Sequence, residues 1–451
     1  QTSSPEQQLP QSFSTSPPAK RQKLSHKSED STSKMTTTPP EPDTSSQSTN
    51  NSAEMSETER LLSEENLSKA FNKLNLLIQK KNDSDSLKLG ENPSHTFNVS
   101  FSEEDTAIIQ FLDEYDYLLF AQKPQTLETV VHCLIKECHP RRDEEQQENA
   151  APVFSYNAIV QKLVGEMGAP WNFVDKNEES LGDLLTENGN SDLYQWLVDH
   201  GVRTELIIRA LNMNSKNSLS NIINAKDQEI DHDAFLKQKL IFKDGLLLDE
   251  DGNGVMMGWE RPLMEIHAAV LCQRWHERDP TQEDAPTSHA VLNVGFGLGI
   301  VDEELQKYKP TRHVIIEAHP DVYAKMLEDG WDKRPGVEIL FGKWQDFVDQ
   351  LNGFDGVFFD TFGEDYDALA EFNEHLPNML NPSGIYSFFN GLAARNAFFH
   401  DVSRRVAELD LMDLGLTTSY QVFDMQVNDE EWSETRDKYW KLKEYWLPIC
   451  E

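Results

Sequence analysis

The second half of this sequence predicts an α/β fold with a mostly parallel sheet, preceded by a helical region and a polar tail. Three observations lead there. After residue 287 the short apolar runs HAVLNVGFG, HVIIEAH, VEILFG, FDGVFFDT and GIYSFFN alternate with stretches of helical periodicity, the signature of parallel strands joined by crossover helices. Before residue 212 the apolar residues recur at helical spacing, and the first fifty residues include 27 Ser, Thr or Pro.

Residues 1–52 form the tail. Such a composition cannot bury enough apolar surface to offset chain entropy, so disorder is expected. Within it PPAKRQKL, Pro17 to Leu24, is a short basic cluster after prolines that reads either as a nuclear import signal or as a solvated charge run. Residues 53–211 are expected to be helical. Leu67, Phe71, Leu74 and Ile78 fall on one helical face, which should pack on its own domain. VQKLVGEMGAP and LYQWLVDHGVR align with Gly168 and Gly201 thirty-three residues apart, a period that suggests stacked helix pairs. GAPWN, SLGDLL and NGNSDLYQWLVDHG resemble the turn and two helices of a degenerate ankyrin repeat, and TLETVVHCLI (Thr126 to Ile135) could open an earlier one. An ordinary helical hairpin would give the same pattern. Residues 212–236, rich in Asn, Ser and Asp, read as a linker, and 237–451 as the site-bearing domain. The closing stretch KYWKLKEYWLPIC is expected to supply a final strand rather than a dimer contact.

The 451 residues include 41 Lys plus Arg against 78 Asp plus Glu, a net charge of −37. The first fifty residues are balanced, with five acids and five bases, so the negative charge belongs to the rest of the chain. Such a surface disfavours phosphate backbones and anionic lipid and suits a basic partner. Cys133, Cys138, Cys272 and Cys450 fit neither a disulfide framework nor paired zinc ligands, so no metal is expected and a reducing compartment is. No run of about eighteen apolar residues exists and no apolar leader opens the sequence. An intracellular soluble protein without membrane attachment is therefore expected.

Ligands of parallel sheets sit beyond the carboxyl ends of the strands. The first run ends in NVGFGLGI, where Gly295, Gly297 and Gly299 would let the backbone approach a ligand closely ahead of a helix N-terminus. The run lacks the G-x-G-x-x-G spacing of a dinucleotide site. Glu317 closes the second run, where an acid can accept both hydroxyls of a ribose. Gly342, Lys343 and Trp344 follow the third and could flank a flat base. Together these features point to S-adenosylmethionine rather than a nicotinamide cofactor. Asp360 ends the fourth run, placed to face whatever lies beside the cofactor or to cap the next helix.

VMMGWERPLM, VLNVGFGLGI, VIIEAHPDVY, FGKWQDF and FDGVFFDTF resemble, as a set, the guanidino-group methyltransferases typified by guanidinoacetate N-methyltransferase. With YSFFNGL and the ankyrin-like part in front, the chain is similar to the fungal type IV protein arginine N-methyltransferases, in pieces over 126–451 and densely over 254–400. The resemblance implies a Rossmann-like, S-adenosylmethionine-dependent methyltransferase domain with a seven-stranded, mostly parallel sheet. It implies methylation of the internal δ-nitrogen of arginine in a protein, with a large-subunit ribosomal protein as the expected substrate. Methylation of a small guanidino compound, or a non-catalytic interaction protein, are the alternatives.

Carried over by position, Met256 and Met264 match methionines that pack on the cofactor, a spacing that plain core would also show. Gly295, Phe296, Gly297, Leu298, Gly299 and Ile300 match the turn around the methionine moiety. Glu317, Ala318 and His319 match the ribose and adenine segment, and Gly342, Lys343 and Trp344 the adenine rim. Glu260 and Asp360 match the carboxylates that grip the substrate guanidinium in forked, charge-assisted hydrogen bonds. On this basis residues 255–271 form one helix that acts as a lid, with Glu260 on it. Gly258 and Arg261 depart from the small-molecule enzyme, and Arg261 is a competing partner for Glu260. The implied protein is a monomer of cytoplasm and nucleus that acts on a basic protein and binds no nucleic acid directly.

Overall fold

The computed structural model describes residues 63–88, 101–138, 155–214, 232–278, 287–425 and 427–451, all within one compact unit, Met55–Glu451. The tail of residues 1–52 and its basic cluster lie outside the described residues.

Six helices open the described structure: α1 (Glu64–Lys88), α2 (Glu103–Glu114), α3 (Val130–Glu137), α4 (Asn157–Gly165), α5 (Leu181–Asn188) and α6 (Ser191–Asn214). Local chemistry sets their starts. Ser102, Thr129 and Ser180 each accept a hydrogen bond from the backbone N–H three residues on, and the side chains of Asp105, His132 and Asp183 return the bond. These capping boxes satisfy donors that a helix start leaves unpaired. Leu67, Phe71, Leu74 and Ile78 are buried together with residues of α2 to α6, as the spacing predicts. The thirty-three-residue alignment, however, pairs unlike glycines. Gly168 turns the chain at φ +78° after α4, whereas Gly201 lies inside α6, where a Cβ would come 2.9 Å from Trp171.

A short helix, α7 (His232–Phe235), leads into a three-stranded antiparallel sheet of β1 (Ile241–Lys243), β2 (Leu246–Leu248) and β3 (Gly254–Met257). The stretch 255–271 is therefore not one helix. It runs as strand β3, a 3-10 turn at Gly258–Glu260 and only then α8 (Arg261–Glu277). Pro262 fits the first turn of α8, where an N–H would be unsatisfied anyway. Ordered structure also enters both ends of the 212–236 stretch, since α6 runs to Asn214 and Phe235 is buried.

The main sheet comprises β4 (Ala290–Val294), β5 (Arg312–Glu317), β6 (Val337–Phe341), β7 (Phe354–Phe359), β8 (Leu380–Phe388), β9 (Thr418–Asp424) and β10 (Glu444–Cys450). Their order is β6-β5-β4-β7-β8-β10-β9, with β4 to β8 parallel and β10 antiparallel to both of its neighbours. This is the Rossmann-like methyltransferase architecture. All five apolar runs become strands, and the closing segment supplies β10. Helices α9 (Ile300–Lys307) and α10 (Pro320–Glu328) join α8 on one face, over Val291, Ile315 and Phe358. Helices α11 (Tyr366–Asn373), α12 (Leu376–Met379) and α13 (Ala397–Asp413) cover Leu292, Val314 and Phe359 on the other. Burial on both faces is why these strands read as unbroken apolar runs.

The helical region shares a core with this domain. Phe398, Val402 and Val406 of α13 are buried in the cluster built by α1 to α6. Tyr194 and Arg209 of α6 bond Asp401 and Asp410 of α13 at 2.7 Å each.

Candidate active site

Register brings the site together. In β4, Val294 pairs with Ile316 of β5 on one side and with Phe359 of β7 on the other. The next residues along each strand, Gly295, Glu317 and Asp360, consequently emerge side by side at the carboxyl edge, where the strand order reverses. Backbone bonds continue the ladder: Gly295 N–H to the Ile316 carbonyl and Asp360 N–H to the Val294 carbonyl, both 2.9 Å. All three face one cavity that opens to solvent. Met256, Glu260, Phe296, Gly297, Ala318, His319, Gly342, Lys343 and Trp344 also line it.

The glycine turn is dictated by its neighbours. Gly295 has φ +94°, and a Cβ there would lie 1.9 Å from the Asp360 carbonyl oxygen; at Gly297 it would lie 2.6 Å from Met256 Sδ. Met256 also accepts the Leu298 N–H at 3.1 Å. Behind the turn, Asn293 Nδ2 donates to the Gly295 carbonyl at 2.9 Å and to Asp302 Oδ2 at 2.8 Å. Asp302 Oδ1 lies 2.9 Å from His313 Nε2, and all three side chains are buried. This polar brace has no periodic signal in the sequence.

Four of the sequence-assigned cofactor positions lie outside the cavity lining. Met264 is buried among α8 and sheet residues, because the 3-10 turn breaks the common helical face it would have shared with Met256. Ile300 also belongs to that core, and Gly299 and Leu298 shape the turn rather than wall the cavity.

Glu317 ties the turn to β5. Its Oε2 accepts from Phe296 N–H at 3.0 Å and its Oε1 from His319 N–H at 2.6 Å. Burial pushes its pKa up against these backbone donors. The backbone N–H groups of Gly297 and Ala318 also bear on this carboxylate. His319 caps α10 by accepting from Asp321 N–H, and its Nε2 meets the Phe235 carbonyl at 3.2 Å; burial holds its pKa down. Phe235, assigned to the linker by sequence, is thereby part of the cavity wall. Lys343 pairs with Asp233, and Trp344 Nε1 donates to both oxygens of Glu364 at 3.1 and 3.2 Å.

Across the cavity stand two acids. Glu260 is only 3% exposed, and burial raises its pKa from 4.5 to about 7. Asp360 is pushed well above its ordinary range, by burial first and then by the charge of Glu260. Arg261 does not neutralise them. It turns outward to Glu303 and Glu304, 3.5 Å from each, and among the described residues no Lys or Arg pairs with Glu260 or Asp360. Glu260 Oε1 instead accepts from Met257 N–H at 2.8 Å and from the Tyr439 hydroxyl at 2.5 Å. With Oε1 filled, Glu260 has one oxygen to offer and cannot fork, while the Asp360 carboxylate has both. Trp259 packs against Tyr439 and Trp432, with ring centroids 5.7 Å apart in each case. Two carboxylates that feel each other's charge across one cavity, with no cation paired to either among the described residues, form a receptor for a cationic group.

Residues 244–408, which contain both acids and the glycine turn, match the family described as guanidinoacetate N-methyltransferase. Over 376 residues the chain is 33% identical to protein arginine N-methyltransferase 2 of Aspergillus oryzae, a match covering 73% of this chain and 88% of the relative. The chain belongs to the protein arginine N-methyltransferase 2 family. The Saccharomyces cerevisiae member is 34% identical over 322 residues, covering 64% of this chain and 76% of its own. Membership makes the chain a methyltransferase. Tyr439 lies beyond the 244–408 match and 179 residues from the acid it bonds. Only the fold reveals it.

Proposed function

We propose that this methyltransferase uses S-adenosylmethionine to methylate the internal δ-nitrogen of an arginine in a basic protein, namely a protein of the large ribosomal subunit. The observation that carries the reading is the pair Glu260 and Asp360, facing one cavity with the glycine turn and lacking any cation of their own among the described residues.

The residues present fit the cofactor. Gly295 and Gly297 bring bare backbone to the cavity wall, and Glu317 lines it at the strand end where ribose hydroxyls would bind. Gly342, Lys343 and Trp344 supply a rim for the adenine, and Met256 packs beside the turn. When bound, S-adenosylmethionine supplies an electrophilic methyl group on a sulfonium.

A guanidinium has a pKa above 12 and delocalised lone pairs, so its nitrogen becomes nucleophilic only when charge is localised elsewhere in the group. Asp360 grips terminal nitrogens through two oxygens and Glu260 through one. That leaves the internal nitrogen as the one free of a carboxylate, and fixed position supplies much of the acceleration. Asp360, the acid with both oxygens open, accepts the proton released from the guanidinium. Burial of Glu260 strengthens its contact with the cation.

The −37 charge favours a basic protein over a small guanidino compound. We read α3 to α6 as degenerate ankyrin-like repeats that help present that protein, in a monomer that works in cytoplasm and nucleus. The test is to incubate the chain with labelled S-adenosylmethionine and purified fungal large ribosomal subunits, then fragment the labelled peptide. Label on the δ-nitrogen of arginine is expected. Label on a terminal nitrogen would refute the regiochemistry, and label on lysine or a carboxylate the reaction.

A further inference from the structure

We propose that Tyr439 is a positioning residue that aims Glu260, filling one carboxylate oxygen so that the other is presented to the substrate cation. The inference deepens the proposed function and rests on it for the identity of that cation.

Glu260 sits at the joint between the 3-10 turn and α8. Two donors converge on the same atom. Met257 N–H and the Tyr439 hydroxyl both reach Oε1, at 2.8 and 2.5 Å, and no described residue donates to Oε2. Oε2 is not sealed in protein either, since it is absent from the buried polar atoms left without a partner. Glu260 lines the cavity, so the open oxygen is the one a ligand meets. A short hydroxyl-to-carboxylate bond is among the stronger hydrogen bonds available to a side chain.

Tyr439 is itself anchored. Its ring packs on Trp259 at 5.7 Å and on Trp432 at 4.8 Å. The segment that carries it is pinned by Arg436 N–H to the Gly252 carbonyl at 2.8 Å and by Lys441 N–H to the Ala394 carbonyl at 2.9 Å. The hydroxyl is thus held by an independent frame, as a positioning group must be. The titratable groups that bear on Glu260 are Asp360 at the end of β7, Tyr439 itself and Tyr445 of β10. Of these, only Tyr439 bonds it.

Tyr439→Phe removes one oxygen and keeps the ring. In the full-length protein, the carboxyl C=O infrared band that is absent from Glu260→Gln reports the titration of Glu260 directly. Loss of the hydroxyl removes a bond to the ionised form, so the midpoint is expected to rise. Transfer from S-adenosylmethionine to large-subunit ribosomal proteins is expected to fall roughly tenfold to a hundredfold at neutral pH. Its acid limb should move to higher pH, while S-adenosylhomocysteine affinity stays unchanged. An unmoved midpoint would overturn the assignment. Lost S-adenosylhomocysteine binding would overturn it too, by making the hydroxyl a prop of the fold. A raised midpoint in a protein whose wild type methylates none of these proteins would uphold Tyr439 and reject the reaction.

Discussion

Gly295 and Asp360 stand back to back across the β4–β7 edge, and the Asp360 carbonyl oxygen occupies the space, 1.9 Å away, that a Cβ at residue 295 would need. The glycine turn and the strand end that carries Asp360 are therefore one rigid unit. Gly295→Ala must either shift Asp360 or strain a backbone held at φ +94°, a conformation that costs about 1–3 kcal/mol for a residue with a Cβ. S-adenosylhomocysteine affinity, measured by calorimetry, is expected to fall by at least about tenfold. Wild-type affinity would show that this turn does not cradle the cofactor.

Neutralising either acid separates binding of the two substrates. Glu260→Gln and Asp360→Asn each keep the shape of the cavity but remove a charge that the guanidinium needs. Transfer should drop by about 10²–10³-fold in either variant, with S-adenosylhomocysteine affinity unchanged within a few-fold. The double variant should lose far less than the product of the two, because the acids act on one group. Multiplicative losses would mean that the two acids serve separate steps.

The strands that build the site are legible because each is buried on both faces and so shows as a continuous apolar run; the positions of the glycine turn, Glu317 and Asp360 then come from where those runs end. Glu260 is marked by its motif, but the sequence misplaces its setting. The apolar residues of 255–271 suit a helix by composition, and nothing local marks the turn at Gly258–Glu260 that puts Met256 on a strand and Met264 in the core. Strand β9, with its mixed polar sequence TSYQVFD at a sheet edge, and the three- and four-residue strands β1 to β3 are too short or too exposed to show a period. Tyr439 and the Asn293, Asp302 and His313 brace are defined by contacts between distant segments, which no local pattern encodes.

Protonation of Glu260 gives the activity and the stability opposite responses to pH. Its folded pKa of about 7 lies above the ordinary 4.5, so the native state holds a proton that the unfolded chain releases between those values. Its contribution to stability is full below about 4.5 and is lost as pH rises through 7. Chemical denaturation of the ligand-free protein should show stability falling over that window, by roughly 3 kcal/mol at most. In Glu260→Gln the same window should be flatter. The guanidinium needs the ionised acid, so kcat/KM should instead rise with pH through about 7. A rate profile flat from pH 5 to 8 would contradict the role given to this residue.

Gly182 tests whether the helical region is a separate module. It lies in α5, yet a Cβ there would come 2.2 Å from Phe398 of α13, which leads directly from the loop after β8. The same junction carries Asn396 Nδ2 donating to Asp183 at 2.6 Å. A side chain at 182 therefore overpacks a core shared by both halves, at a typical cost of about 1–3 kcal/mol. Gly182→Val should lower the denaturation midpoint of the entire described unit in one transition, with S-adenosylhomocysteine binding lost at that same midpoint. If the helices were an independent domain, the variant would melt them alone at lower denaturant and leave cofactor-site binding on its original curve.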